Sequence, residues 1–361
     1  MLMQQKTTVV RRVLMATVMA FFSMVGATSF AYKTPVEVPA LQSRYAAFTP
    51  MIGVAKAGKR IVAVGIHGHI VFSDDEGKTW TQAKDVPVSV DLLSVSFVND
   101  KLGWVTGHGG VVLNTTDGGN TWTKQLDGKM SAEFTTKYFE SKTGADVTPD
   151  FERAARQAKA LVDEMNTQTL LTISFQNEKM GYVGGTFNRL FRTDDGGKTW
   201  APLMDRTKNP KELHFYDIAF NSTATYLTGE QGIVWRIDTA KNEFTALQTP
   251  YNGTLFGLIL DGSNILVYGM RGSLLRSADE GKTWERINLG TNAGISGGVV
   301  LGDGRIAIAN QAGSLMISSD HGKTFQPMKT EKPMSYFGIL AIADNKVVLI
   351  GSEGVRVETL K

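Results

Sequence analysis

The chain has no cysteine among its 361 residues. Disulfides, thiolate metal sites, cysteine nucleophiles and a thioether-linked lipid anchor are therefore excluded. Proline is sparse at 10 and histidine sparser at 5. The longest apolar run, Val13–Ala27, has 15 residues, short of the ~20 that a membrane-spanning helix needs. Neither sign of charge dominates, with 38 Lys and Arg against 35 Asp and Glu. Glycine, by contrast, is plentiful at 38, a composition that suits many short strands joined by tight turns.

The N-terminus has the layout of a secretory signal. Lys6, Arg11 and Arg12 precede the apolar run, and Ser29 and Ala31 are small residues at the −3 and −1 positions of a cleavage site. Residues 1–31 are expected to be a signal peptide and residues 32–361 the folded domain. Three basic residues and no acidic ones lie in 1–31, which leaves 35 of each sign. The basic character of the whole chain thus belongs to targeting, and no nucleic-acid partner is expected. The product is expected in the periplasm, or in the thylakoid lumen if the source is a phototroph, soluble after cleavage.

A short acidic pattern then recurs five times: SDDEGKTW at Ser73–Trp80, TTDGGNTW at Thr115–Trp122, TDDGGKTW at Thr193–Trp200, SADEGKTW at Ser277–Trp284 and SSDHGKTF at Ser318–Phe325. Its aspartates, Asp75, Asp117, Asp195, Asp279 and Asp320, are spaced by 42, 78, 84 and 41 residues. A second, glycine-centred pattern upstream resolves the double gaps. It places Gly65, Gly107, Gly185, Gly229, Gly269, Asn310 and Gly351 at equivalent positions, with spacings of 42, 78, 44, 40, 41 and 41. The 84-residue gap hides a degenerate repeat whose box falls near Thr239, and the 78-residue gap holds an insertion.

Each unit of about 41 residues reads as strand A, turn, strand B, glycine turn, strand C, box, strand D, the pattern of a propeller blade. The expected fold is all-β: a seven-bladed β-propeller of four-stranded blades. The seventh repeat ends before its box, so Val36–Tyr45 is expected to supply the missing outer strand and close the last blade. The insertion, about 130–168, carries helical spacing. Phe134, Tyr138 and Phe139 fall in one segment. Thr148 and Pro149 mark a helix start ahead of an apolar face of Phe151, Ala154, Ala155, Ala158, Leu161, Val162 and Met165. A helical hairpin packed on the propeller is expected.

A motif repeated on five spokes of a wheel is structural before it is catalytic. The aspartate is expected to take hydrogen bonds from its own turn, as a buried carboxylate. Trp80, Trp122, Trp200 and Trp284 are expected to pack between sheets. One or two carboxylates per box are too few for a calcium site. His67, His69 and His108 are candidate imidazole ligands, but turn and strand positions alternate among them, so no metal site and no cofactor is expected.

Boxes of the form S-x-D-x-G-x-T-W resemble the Asp-box (BNR) repeat. Together with the seven glycine segments, the chain resembles the photosystem II stability/assembly factor family of seven-bladed propellers over Val36–Lys361, less the insertion. The resemblance implies a non-catalytic accessory, assembly or stability factor for a membrane protein complex. It departs from the photosynthetic members by lacking an anchor cysteine and by carrying the insertion. Asp boxes also occur in sialidases, so a sialidase-like glycoside hydrolase or glycan-binding propeller is the alternative. No Arg-Ile-Pro signature stands near the N-terminus, and Glu230 and Glu353, the carboxylates open to such chemistry, belong to blades 4 and 7.

Successive turns of a blade alternate between the two faces of the disc. The B–C turns share a face with the connections between blades, and they vary most in sequence. His67, His108, Glu230, Gln231, Arg271, Gln311 and Glu353 are the candidate binding residues there. Arg271 leads, because a guanidinium makes bidentate contacts with carboxylate or phosphate. The expected partner is a membrane-protein client, with no small-molecule substrate, and the protein is expected to be a monomer.

Overall fold

The computed structural model describes residues 33–142, 147–164, 167–239, 241 and 243–360. The expected signal and its cleavage site lie outside the described residues. Pro35–Lys361 is one compact unit. Seven antiparallel sheets follow one another along it, six of four strands and the last of three. Blades 1 to 7 run over 51–82, 92–126, 170–202, 215–248, 255–286, 295–328 and 336–359. Strand A of blade 1 lies against strand A of blade 7, so the ring is closed.

The core is divided among the gaps between blades. Val62, Leu92, Val105 and Trp122 pack between blades 1 and 2. Met51, Val71, Val348 and Ile350 do the same between blades 1 and 7. Each such side chain stabilises the fold by roughly 1.5–3 kcal/mol through apolar burial.

The recurring glycine has a steric cause. A Cβ on Gly65, Gly107, Gly269 or Gly351 would stand only 2.0–2.2 Å from the carbonyl oxygen just before strand A. Strand B therefore needs a residue without a side chain there. Beside it, strand A skips one residue, as between Phe215 and Asp217 and between Leu255 and Gly257. This β-bulge recurs in all seven blades. The skipped side chains, Tyr216 and Phe256 among them, line a cavity of about 330 Å³ on the axis.

Closure differs from the sequence expectation. The last sheet has three strands among the described residues, and Val36–Tyr45 does not form its fourth. That segment lies along blade 1 instead. The amide of Ala40 donates to Val86 O at 3.0 Å and that of Ser43 to Gln82 Oε1 at 2.7 Å, while Val36 is buried in the cluster between blades 1 and 2. Next come the residues that reach blade 7. Ala46–Phe48 is a single 3-10 turn, and a Cβ on Gly354 would lie 2.0 Å from Ala47 O. In other blades the equivalent glycine meets the strand D–to–A connection, as Gly68 meets Val88 O and Gly272 meets Thr291 O. The N-terminal segment thus stands in for a connection, not for a strand.

The insertion forms helices α1 (Gly128–Glu140) and α2 (Pro149–Glu164). Asp127 caps α1 by accepting from the amide of Met130 at 3.0 Å, which starts the helix earlier than the sequence reading. Thr148 caps α2 through the amide of Phe151 at 3.1 Å. Phe139, Phe151, Ala154 and Ala158 join Trp104, Phe191 and Trp200 in the core between blades 2 and 3. The expected apolar face is narrower than the sequence suggested. Val162 is exposed at 46 %, because it sits one position beyond Leu161 and so rotates off the packed stripe. Met165 lies outside the described residues.

Candidate docking face

The boxes face away from the B–C turns and look inward chemically. In the first, Asp75 Oδ1 accepts from the Thr79 amide at 2.9 Å and Oδ2 from its hydroxyl at 2.6 Å. The Ser73 hydroxyl donates to the same carboxylate at 2.8 Å and accepts from the Gly77 amide at 2.8 Å. Asp117, Asp195, Asp279 and Asp320 repeat the pattern. These bonds, led by the threonine hydroxyl, hold Asp75 and Asp279 down at about 2. The carboxylates are not buried, contrary to expectation. Solvent reaches them because the buried partner is the hydroxyl two residues earlier, with Ser73 and Thr115 each 1 % exposed.

Each box also leans on the blade before it. Trp122, Trp200, Trp284 and Trp80 pack in the gaps toward blades 1, 2, 4 and 7. Polar bonds follow the same direction. Arg60 donates to Gly118 O at 3.1 Å, Gln125 to Gly196 O at 3.1 Å and Arg276 to His321 O at 2.9 Å, and Lys346 pairs with Glu76 at 3.0 Å. The box chemistry is spent inside the fold.

The B–C turns are different. His67 and Arg271 adopt left-handed backbone angles, φ 57° and 56°, that push both side chains outward. Both are exposed, as are His108, Gln311 and Glu353. Glu353 is paired with Arg356. Glu230 Oε2 accepts from the His214 amide at 3.0 Å, and Gln231 Oε1 accepts from Lys211 Nζ at 2.7 Å. Glu230 and Glu353 are thus each engaged with local partners. His69 is buried, and its Nδ1 lies 3.0 Å from the Thr49 hydroxyl. Burial first, then His67, lowers its pKa. Among the described residues no group of three His, Asp or Glu side chains is placed to hold a metal ion.

The structure adds residues that the sequence reading missed. Phe187, His214, Tyr216 and Phe256 form a continuous aromatic band, with centroid separations of 4.9, 6.2 and 5.9 Å. It begins on the B–C turn of blade 3 and crosses to the inner strand of blade 5, at the mouth of the axial cavity. Tyr216 has a raised pKa, from burial first and then the charge of Glu230. Blade 3 lacks the usual turn glycine. Asn188 takes the left-handed conformation, φ 62°, and its buried amide bonds Met204 O, Thr207 and Asn209 at 3.1, 2.7 and 3.0 Å. Phe187 is thereby held outward, 54 % exposed. The aromatic residues at the second position of strands A in blades 4 and 5 were a visible signal. The bulges that turn them to the axis were not.

Seven closed sheets with five acidic-box turns define a seven-bladed BNR-repeat propeller. A family model described as photosynthesis system II assembly factor YCF48 matches residues 152–252. The photosystem II assembly lipoprotein Ycf48 of Synechococcus sp. (strain CC9902) is 25% identical over 163 residues, 43% of this chain and 38% of the relative. The chloroplastic photosystem II stability/assembly factor HCF136 of Oryza sativa subsp. japonica is 30% identical over 146 residues, 37% of this chain and 35% of the relative. The chain therefore aligns with little more than a third of either relative's length. A solved structure of YCF48 bound to D1 peptide superposes with TM-score 0.62 over 90% of this chain and 99% of that one, at 16% identity. Together these matches support a photosystem II assembly factor-like family for this chain. No helix among the described residues is long and apolar enough to cross a membrane.

Proposed function

We propose that the protein is an exported, non-catalytic docking factor. Its B–C face receives a segment of a membrane-protein client and assists assembly or stability of the client's complex. One observation carries the reading. Among the described residues, the exposed large hydrophobics are confined to the B–C turns, the N-terminal segment beside them and the hairpin with its approach. Phe187 and Met270 are in B–C turns. Leu41, Tyr45 and Phe48 are on the N-terminal segment, and Met130, Val147 and Val162 are on the hairpin and its approach. None lies in a box or an A–B turn among the described residues. Exposed apolar side chains gathered on such turns and segments mark an interaction surface. The YCF48 structure with a D1 peptide supports a polypeptide client by analogy.

The aromatic band supplies apolar anchors and Arg271 a charged one, the residue types enriched at interface hot spots. Residues 1–31 direct export and are removed near Ala31 in this reading. The test is site-specific photocrosslinking in membranes of the source cell, with the photoreactive group at position 187 or 270 and, as a control, at Ser263 in an A–B turn. Adducts with one integral membrane protein from 187 and 270, absent from 263, are expected. Adducts from 263 alone, or turnover of a glycoside by the purified protein, would overturn the reading.

A further inference from the structure

The geometry points to a second contact on the same side of the propeller, made directly with a lipid surface by Leu41, Tyr45 and Phe48. These are the most exposed large hydrophobic residues described, at 79, 56 and 71 %. They stand within eight positions of one another. Exposure here is built in, not incidental. Ala46 is 3 % exposed and anchors the 3-10 turn in the core between blades 7 and 1. The Phe48 amide donates to Tyr45 O at 2.9 Å. In a 3-10 turn, side chains at i and i+3 eclipse, so fixing Ala46 inward sets Tyr45 and Phe48 along one outward edge.

The chemistry around the three fits a bilayer interface. The Arg44 guanidinium lies over the Tyr45 ring, 4.6 Å from its centroid. Arg44 and Lys84 are exposed beside the segment, as are Glu37 and Asp85, and Arg44 is the cation that touches the patch itself. Glu353, in the B–C turn that meets Ala47 and Phe48, is already paired with Arg356. Aromatic rings with cationic neighbours sit at the headgroup level of membranes, and anionic lipid adds to the apolar term. The inference does not rest on the client reading, because lipid alone is sufficient for it.

The absence of cysteine makes the test clean. The chain from Tyr32, without the expected signal, carries a nitrobenzoxadiazole label on Phe48→Cys or, as a control, on Ser263→Cys, and is mixed with phosphatidylethanolamine–phosphatidylglycerol vesicles. The label at 48 is expected to shift to the blue and to lose quenching by aqueous iodide, while that at 263 stays water-like. Adding Leu41→Ser and Tyr45→Ser should restore quenching at 48. Three results overturn the proposal. One is iodide access at 48 equal to that at 263 on sedimented vesicles. Another is no sedimentation with vesicles. The third is a label at 48 already shifted before vesicles are added, which assigns the patch to the protein's own chain. No client is present, so failure here leaves the docking reading standing.

Discussion

Asp217 Oδ2 accepts a hydrogen bond from the amide of Leu258 at 3.0 Å, joining the inner strands of blades 4 and 5 at the wall of the axial cavity. The other oxygen accepts from its own neighbour, the Ile218 amide, at 2.9 Å. In blade 2 a neutral hydroxyl does the same work, Ser94 accepting from Ile173 at 3.2 Å. Blade 4 has instead placed a carboxylate in that position, and burial pushes it from 3.8 up to about 6 despite the two amides.

A pH signature follows. A carboxyl raised on folding stabilises fully below its unfolded value, and that contribution is lost as pH rises through about 6. The box aspartates are lowered on folding, so their contribution is present above about 4 and is lost as pH falls toward about 2. The melting temperature should therefore peak between pH 4 and 5 and decline toward pH 7. In Asp217→Asn the decline on the neutral side should flatten while the acid side is unchanged. Calorimetry from pH 3 to 8 reads both limbs.

The boxes rank their own members. Thr115→Val removes a buried hydroxyl and leaves the buried amide of Gly119, which donates to it at 2.9 Å, without its acceptor. A loss of ~1–3 kcal/mol is expected by chemical denaturation. Asp117→Ala should cost less, because solvent can reach the amides it releases. The reverse order would return the central role to the carboxylate.

Closure depends on backbone packing at the seam. Gly354 has φ 92° and stands against Ala47 O. Gly354→Ala adds both a left-handed penalty of roughly 1–2 kcal/mol and a collision with backbone. A fall in melting temperature of several degrees is expected, with limited proteolysis opening first near the N-terminal segment. An unchanged melting curve would mean that this segment is dispensable for closure.

The hairpin is part of the core. Phe151 packs on Phe139, 5.0 Å between centroids, inside the cluster that also holds Trp104 and Trp200. Phe151→Ala should cost ~3–5 kcal/mol and expose blades 2 and 3 to hydrogen exchange. Loss of protection confined to α1 and α2 would show an independent appendage instead.

Docking chemistry can be separated from stability. Arg271 is exposed, and Phe187 is held out by its turn. Arg271→Ala and Phe187→Ala should each weaken client capture by about tenfold or more, with melting temperatures unchanged. Equal capture by both variants would move the docking surface elsewhere.

The sequence made the repeat legible because its strongest signals are steric. Six glycines recur where strand B crowds a carbonyl, and serine or threonine recurs two residues before each aspartate. The seven-bladed count could be read from those positions, and the hairpin from Thr148, Pro149 and the helical spacing of Phe151, Ala154 and Ala158. The closure could not. Val36–Tyr45 was the one unassigned segment for a missing outer strand, and only the tertiary fold shows Val36 and Ala40 facing the gap between blades 1 and 2. The aromatic band was hidden for another reason. Its members come from a turn, a connection and two bulged strands, and a bulge leaves no mark in the hydrophobic pattern. Arg271 and the other turn residues were placed on their face by topology alone.

The leaning of each box on the blade before it gives the ring a grain. Blades 1, 2, 4 and 5 are each buttressed by a box of the next blade to be synthesised, and blade 7 is buttressed by the box of the first, through Gly77 against Val357 and Lys346 with Glu76. A chain emerging N-terminus first can therefore zip in order, but its oldest repeat must keep an open flank until the youngest arrives. We expect blade 1 to remain the last region to gain protection in pulse-labelled refolding, and late truncations to be felt most strongly at the opposite end of the sequence.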